Sequence, residues 1–480
     1  MPTTARTAET RDHFTRLTLA NRRFAEAYPG DGADRQPVHT VYGGAHLFSA
    51  DVAQRLGAAA LRTMEEMAPD FAAFARATGL AGSETVPHGL DDLAAVRRRL
   101  ERDPEGVHRE HRSAWLAHAV WTRVVRKLET EPVEDVRIDF EDGYGHRPDD
   151  EEDAHAVACG VEMARGMSEQ TLPPFTGIRI KPFNEERGPR SLRTLEQFLG
   201  ALLQGSGGML PPGFVVTLPK VTVPEQVSAL VDVLELLEKG HRLAPGSLRL
   251  ELMIETPQSI VAADGTFAIP ALVRAARGRC RGAHFGTYDY TAGCGITAAH
   301  QSMRHPACDF ARHAMQVCLA GTGVTWSDGA TNVLPIPPHR TSDGERLSEE
   351  QQAENVRAVH HAWRVHADDV RASLMRGFYQ GWDLHAAQLP SRYAAVFAFF
   401  LESRHEAAER LRRFVDNAAQ ATRLGTVFDD AATGQALLNF FLRGIQCGAL
   451  TEEEALATGL TLDELRGRSF TRILDARRSA

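Results

Sequence analysis

The sequence has 480 residues, 43% of them hydrophobic and 24% charged, which is ordinary globular composition with ample length for a large core. The formal net charge of -9 is mild and spread along the chain, so a nucleic-acid partner is disfavoured. The 6 cysteines form no CxxC pair and indicate neither a zinc site nor a disulfide framework. Because the first residues lack an apolar signal-peptide core and no uncharged run has transmembrane length, we expect a cytoplasmic protein without a membrane partner.

Eight short apolar runs are typical of strands, and amphipathic helical stretches separate most of them. In chain order these runs lie at 38–44, 136–140, 177–183, 213–220, 248–256, 280–289, 323–329 and 381–388. Strands that alternate with helices indicate parallel βαβ units. Eight such units predict an α/β fold, a (β/α)8 TIM barrel over residues 36–390.

Three regions exceed this barrel. Residues 1–35 form an N-terminal segment, several helices are predicted as an insertion at about 50–130 after the first strand, and residues 391–480 are predicted to be helical. The C-terminal helical region has to cover a barrel mouth, either its own or a neighbour's. We therefore predict that it covers the active site, and we expect a homo-oligomer.

The helix after the fourth strand can be predicted in detail. Thr222 and Glu225 have the spacing of a capping box. The apolar residues that follow repeat with helical periodicity, and Gly240 is a natural stop.

The stretch "VRIDFEDGYG" brings Asp139, Glu141 and Asp142 to the end of an apolar strand. Neighbouring carboxylates repel one another, and burying them unpaired is costly. A metal ion, an arginine or a lysine should therefore face them. The alternative is a solvated edge strand that runs into an acidic loop, "RPDDEEDAH".

Polar residues also end most of the other predicted strands, where a TIM barrel has its active site. They are Arg179, Lys181, Lys220, Glu255, Asp289, Asp328, His385 and Gln388. Several carboxylates with few histidines favour a hard cation, Mg²⁺ (or Mn²⁺), over zinc. We predict Glu255 and Asp289 as its ligands, with Asp139, Glu141 and Asp142 holding metal-bound waters and orienting Arg179 or Lys220.

Arg179 could grip a substrate carboxylate through two parallel hydrogen bonds. Lys220 is a second catalytic candidate, with a plain ion pair to Glu141 as the alternative. His385 is equally compatible with a substrate contact and with a structural hydrogen bond. Asp328 has a turn-forming role as its alternative, and His284 is expected to be structural.

The ordered motifs "DFEDG", "RIK", "LPKV", "IET", "FGTYDY" and "GWDLHAAQLP" resemble those of the citrate lyase β-subunit/malyl-CoA lyase (HpcH/HpaI aldolase) superfamily, whose barrel and site malate synthases share. The resemblance implies that Glu255 and Asp289 bind Mg²⁺ and that Arg179 contacts a substrate carboxylate or carbonyl. The segment "GTVFDDAATGQALLNFF" resembles the malate synthase segment that carries the catalytic base, which implies Asp430. The chain departs from the superfamily pattern at Lys181, in place of Asn, and at Ala386, in place of Pro.

The predicted function is a Mg²⁺-dependent lyase or synthase that acts on a carbon–carbon bond through an enolate. Its substrate would be a small 2-oxo acid or hydroxy acid, possibly as a CoA thioester. The alternatives are a CoA-independent 2-oxo acid aldolase and a non-catalytic barrel that binds a ligand. Turnover without any thioester would indicate the aldolase, and affinity without turnover would indicate the binding protein.

Overall fold

The computed structural model describes residues 4–30, 35–341, 346–416, 422–424, 427–429, 431–467 and 469–479. Its main sheet has eight parallel strands in the order β7-β6-β5-β4-β3-β2-β1-β8. These strands are β1 His39–Gly44, β2 Asp135–Asp139, β3 Phe175–Arg179, β4 Val215–Leu218, β5 Arg249–Ile254, β6 Cys280–Phe285, β7 Thr325–Ser327 and β8 Gly381–Asp383. A parallel bridge between Ala330 and Trp382 joins the two edges, so the predicted TIM barrel is confirmed.

The helices surround the barrel and build the additional regions. They are α1 Thr4–Ala27, α2 Val52–Met67, α3 Phe71–Thr78, α4 Leu90–Arg102, α5 Pro104–Glu110, α6 Arg112–Thr130, α7 Asp149–Glu169, α8 Gly188–Gly205, α9 Pro224–His241, α10 Pro257–Ile260, α11 Ile269–Ala275, α12 Thr287–Gly293, α13 Pro306–Leu319, α14 Glu349–Met375, α15 Leu389–Asp416, α16 Ala431–Gln446, α17 Glu452–Leu456, α18 Leu462–Arg466 and α19 Phe470–Ser479. Two three-residue strands, β9 Thr422–Leu424 and β10 Val427–Asp429, pair antiparallel between α15 and α16.

Two apolar clusters hold these layers together. One lies between the barrel strands and helices such as α8 and α9, and includes Phe198, Leu230 and Leu252. The other packs the insertion against α14 and α15, and includes Phe74, Trp363 and Phe397. Their burial supplies the main driving force for the fold. None of the described helices has the length and apolar character needed to span a bilayer.

One local prediction and one of the alternatives need correction. Helix α9 begins one residue later than expected, because Gln226 rather than Glu225 accepts a hydrogen bond from the Val223 amide that precedes the helix. The segment "DDEED" is not an acidic loop. It forms the start of α7, where carboxylates face the positive end of the helix dipole.

Helix α16 lies at the mouth formed by the N-terminal ends of the strands. Its residues Gln435, Asn439 and Arg443 line the same cavity as Phe175 and Val215, the first residues of β3 and β4. TIM-barrel chemistry occurs at the opposite mouth. The expected cover over the active site is therefore not made by α16 of the same chain.

Candidate functional site at the C-terminal mouth of the barrel

Five of the predicted site residues lie just at or after the C-terminal ends of adjacent strands. Asp139 and Arg179 are the last residues of β2 and β3. Lys220 and Glu255 follow the ends of β4 and β5. Asp289 lies in the first turn of α12, not on β6 as expected, because β6 already ends at Phe285.

Arg179 and Asp139 form a bidentate ion pair that is almost completely buried. The guanidinium Nε and Nη2 donate to the two Asp139 oxygens over 2.7 and 2.6 Å. Asp139 also accepts the backbone amides of Glu141 and Gly143. The guanidinium carbon lies 4.8 Å from the centre of the Tyr42 ring. Because its oxygens are already engaged, Asp139 fixes the orientation of Arg179.

The ammonium of Lys220 contacts Glu141 and Asp142, the two acids in the loop that follows β2. Its ammonium donates to Glu141 and, over 3.0 Å, to Asp142, and it lies 3.8 Å from Asp289. Burial opposes the charge on Lys220, but Glu141, Asp142 and Asp289 together hold the pKa of this ammonium above its usual range. The ion pair of Lys220 with Glu141, the alternative to a catalytic role, is therefore present, and Glu141 is buried whereas Asp142 is exposed.

Glu255 is a buried carboxylate beside a second carboxylate. Burial first, and then the charge of Asp289, raise the pKa of Glu255 to about 8. One Glu255 oxygen accepts the Lys220 backbone amide over 2.6 Å, and no described side-chain cation forms an ion pair with it. A Cβ at Gly286 would lie 2.3 Å from the Glu255 Cβ, so only glycine leaves room for this side chain.

The buried Glu255 carboxylate has no ion pair among the described residues, and the exposed Asp289 carboxylate beside it lies 3.8 Å from the Lys220 ammonium. Two neighbouring carboxylates of this kind fit a hard divalent ion. The arginine beside them supplies a fixed hydrogen-bond donor for an anionic substrate group. Together these residues could hold a cation and orient a small carboxylate-bearing molecule at one mouth of the barrel.

The other predicted polar residues have contacts elsewhere. His385 is exposed, and its Nδ1 accepts the Ala387 amide at the start of a short 3-10 helix. Lys181 is buried and donates to Glu152 over 2.6 Å, which gives this departure from the family pattern a structural partner. Asp328 is buried and accepts two hydrogen bonds from Arg312, so it is more than a turn former.

A buried charged network fills the barrel below the site. Arg137 donates to Asp135 and Glu251 over 2.7 and 2.6 Å, and His284 lies 3.1 Å from Glu251. His284 thus has the structural surroundings expected of it. The alternation of β2, in which Arg137 shares the inward face with Asp139, is the signal that could have found Arg137. Nothing in the sequence links it to Glu251.

A second group of metal-ligand type lies outside the barrel. The ligand atoms of Glu105, His108 and His405 lie within 4.8 Å of one another. Arg404 donates to His405 over 3.0 Å and lies 3.9 Å from Glu105. A guanidinium therefore already provides positive charge at this group. The predicted base, Asp430, lies outside the described residues.

Fold and site together define an α/β barrel protein with a carboxylate- and arginine-rich site at its C-terminal mouth. The chain belongs to the family described as Domain of unknown function (DUF6986), which matches residues 17–473. None of the curated proteins matches the chain.

Solved structures similar to this chain include a citrate lyase from Burkholderia xenovorans LB400, with 19% identity over 71% of this chain and 92% of that chain and a TM-score of 0.49. A malate synthase from Haloferax volcanii, in a lead(II) complex, has 14% identity over 72% and 90% of the two chains and a TM-score of 0.39. The protein CitE from Mycobacterium tuberculosis, in complex with magnesium and acetate, has 16% identity over 58% and 87% and a TM-score of 0.34.

Proposed function

We propose that this chain is a Mg²⁺-dependent enzyme that makes or breaks a carbon–carbon bond between a 2-oxo acid and an acyl-CoA thioester, in the manner of malyl-CoA lyases or malate synthases. The observation that carries this proposal is the buried Glu255 carboxylate beside Asp289, at the mouth that also holds Arg179. If Glu255 served only in a structural salt bridge, a lysine, arginine or histidine would pair with it, and none of the described residues does so.

Glu255 and Asp289 would hold the divalent ion, for which Mn²⁺ could substitute. When bound, the ion supplies Lewis-acid polarisation of the 2-oxo acid carbonyl. Glu141 and Asp142 accept hydrogen bonds from the Lys220 ammonium, and they would also accept hydrogen bonds from the water that the ion retains.

Arg179 would bind the substrate carboxylate or the oxygen on which negative charge develops. Its Nε and Nη2 are occupied by Asp139, whereas Nη1 has only Glu141 at 3.4 Å. Nη1 is thus the nitrogen best able to donate to a substrate oxygen. Because Asp139 already fixes the guanidinium plane, this contact costs little reorganisation in the transition state.

Lys220 would act as a cation and not as a base. Its raised pKa keeps the ammonium protonated at neutral pH. Its backbone has a positive φ of 51°, and the same residue donates its amide to Glu255 and its ammonium to Glu141. Lys220 would therefore hold the acids of two strands in one arrangement.

The general base would be Asp430. It would take a proton from the carbon next to the thioester, and that carbon would then bond to the carbonyl carbon of the 2-oxo acid, whose oxygen becomes a hydroxyl. Cleavage runs the same bonds in reverse. Because α16 lies at the opposite mouth of its own chain's barrel, we propose that the C-terminal region acts at the site of a neighbouring copy, with Asp430 as the base.

The test is to incubate the protein with Mg²⁺, acetyl-CoA or propionyl-CoA, and glyoxylate or pyruvate, and to follow products by mass spectrometry. We expect a hydroxy acid or its CoA thioester, formed only with the divalent ion present. Turnover of the 2-oxo acid without a thioester would show the CoA-independent aldolase instead. Binding without turnover in every combination would contradict catalysis.

A further inference from the structure

A second cavity, of about 820 Å³, lies at the N-terminal mouth of the barrel, opposite Glu255 and Asp289. The first residues of β3, β4 and β5 form its floor, and helix α16 lies across it. Its size falls in the range of small-molecule and cofactor sites. The proposed carbon–carbon bond chemistry makes no use of this end of the barrel.

Arginines outnumber carboxylates in the lining of this cavity, which includes Asp135 and Glu251. Five arginines line it, and two of them have carboxylate partners: Arg137 with Asp135, and Arg35 with Glu131. The other three are Arg249, Arg281 and Arg443, and none forms an ion pair with a carboxylate in the part of the chain that the structure describes.

Each of these three guanidiniums has hydrogen-bonding capacity left. Arg249 donates to the Gly278 carbonyl over 3.1 Å, and Arg443 donates to Gln36 over 3.2 Å. Arg281 is exposed, and none of the described residues accepts a hydrogen bond from its guanidinium. Burial first, and then the nearby charge of Arg281, lower the pKa of Arg249.

Helix α16 turns its polar face toward the cavity instead of toward bulk solvent. Gln435, Asn439, Arg443 and Gln446 line the space, whereas Leu438 on the other face is fully buried. Amide and guanidinium groups together recognise phosphate and carboxylate oxygens well.

The walls also have an aromatic part, formed by Phe175, Phe214 and Trp326. Planar rings pack favourably against such side chains. The cavity thus combines three arginines without carboxylate partners, amide donors and aromatic walls.

We propose that the N-terminal mouth binds an organic polyanion of the nucleotide class, with its charged groups at Arg249, Arg281 and Arg443 and its planar ring against the aromatic wall. This site is separate from the site at the C-terminal mouth. Because α16 forms one wall, the ligand would bind to the C-terminal region and the barrel at once and would stabilise their contact.

The test uses ADP as the probe and isothermal titration calorimetry on the full chain. We expect ADP to bind and adenosine to bind at least about tenfold more weakly, because the arginines recognise charge. Arg281→Gln, at an exposed position where the fold should tolerate it, should weaken ADP binding about tenfold or more, and Arg443→Gln should do the same. Arg274→Gln, an exposed arginine of α11 outside the cavity, is the matched control and should change nothing.

The Arg179→Lys variant separates this proposal from the enzymatic one. ADP affinity should be unchanged in that variant, since Arg179 lies at the other mouth. If calorimetry detects no ADP binding at concentrations up to about 10 mM, near the weakest affinity that can be measured, the proposal is overturned. So would ADP binding that Arg179→Lys weakens and Arg281→Gln does not.

Discussion

At the scale of single residues, the account depends most on the orientation of Arg179. Both oxygens of Asp139 hold its guanidinium, and Tyr42 packs against its face. A lysine keeps the charge but cannot make the paired hydrogen bonds of the planar fork.

We predict that Arg179→Lys lowers kcat/KM by about a hundredfold or more, in line with about 3 kcal/mol for a donor that stabilises developing charge. Steady-state kinetics on the substrate pair found in the product screen measures this. The control is Arg193→Lys, an exposed arginine that pairs with Asp153 on the barrel surface. If Arg179→Lys has nearly wild-type kinetics, Arg179 serves only to pair with the acids.

At the scale of elements, β2 shows how strand alternation places a polar network inside the barrel. Arg137 and Asp135 are both 1% exposed, and Arg137 bridges Asp135 to Glu251 on β5. Removing one partner of such a network leaves buried charges without compensation.

Arg137→Met should therefore lower the free energy of unfolding by about 3–5 kcal/mol, measured by urea denaturation. Arg274→Met changes an exposed arginine and should stay within about 0.5 kcal/mol. Equal stability of the two variants would mean that the interior ion pairs add nothing to the fold.

The strands, and the polar residues that follow them in chain order, could be predicted from the sequence, because strand alternation and apolar runs are local signals. The sequence predicts Asp289 at the end of β6, whereas it lies on α12, because "FGTYD" does not mark where a strand ends and a helix begins. The pairing of Lys181 with Glu152 and the network of Arg137 with Glu251 join residues far apart in sequence, so spacing could not show them.

At the scale of the whole molecule, the position of α16 determines where its neighbouring residues can act. Helix α16 lies at the N-terminal mouth of the barrel, whereas Glu255 lies at the C-terminal mouth. The barrel strands, about 16 Å long, separate the two mouths. We therefore predict a homo-oligomer in which the C-terminal region of one copy covers the C-terminal mouth of another. Light scattering that shows only monomers would contradict this arrangement.

Mixing two inactive variants tests the arrangement directly. Asp430→Asn should reduce turnover by about several hundredfold or more, as loss of a general base does, and Glu255→Gln should abolish it. Co-expressed in one oligomer, they should restore activity, to about a quarter of the wild-type value for a randomly mixed dimer, because one chain supplies Glu255 and the other Asp430. No recovery in purified mixed oligomers would place Asp430 in its own chain's site or outside catalysis.

The central claim is that Glu255 and Asp289 hold a divalent cation, and Mn²⁺ titration followed by electron paramagnetic resonance tests it most directly. The wild-type protein should bind one Mn²⁺ per chain, and Mg²⁺ should compete. Glu255→Gln and Asp289→Asn should each weaken binding at least about tenfold with unchanged circular dichroism. His405→Ala, which removes a ligand of the other metal-ligand group, should leave it intact. Mn²⁺ binding that His405→Ala abolishes and Glu255→Gln leaves unchanged would contradict the account.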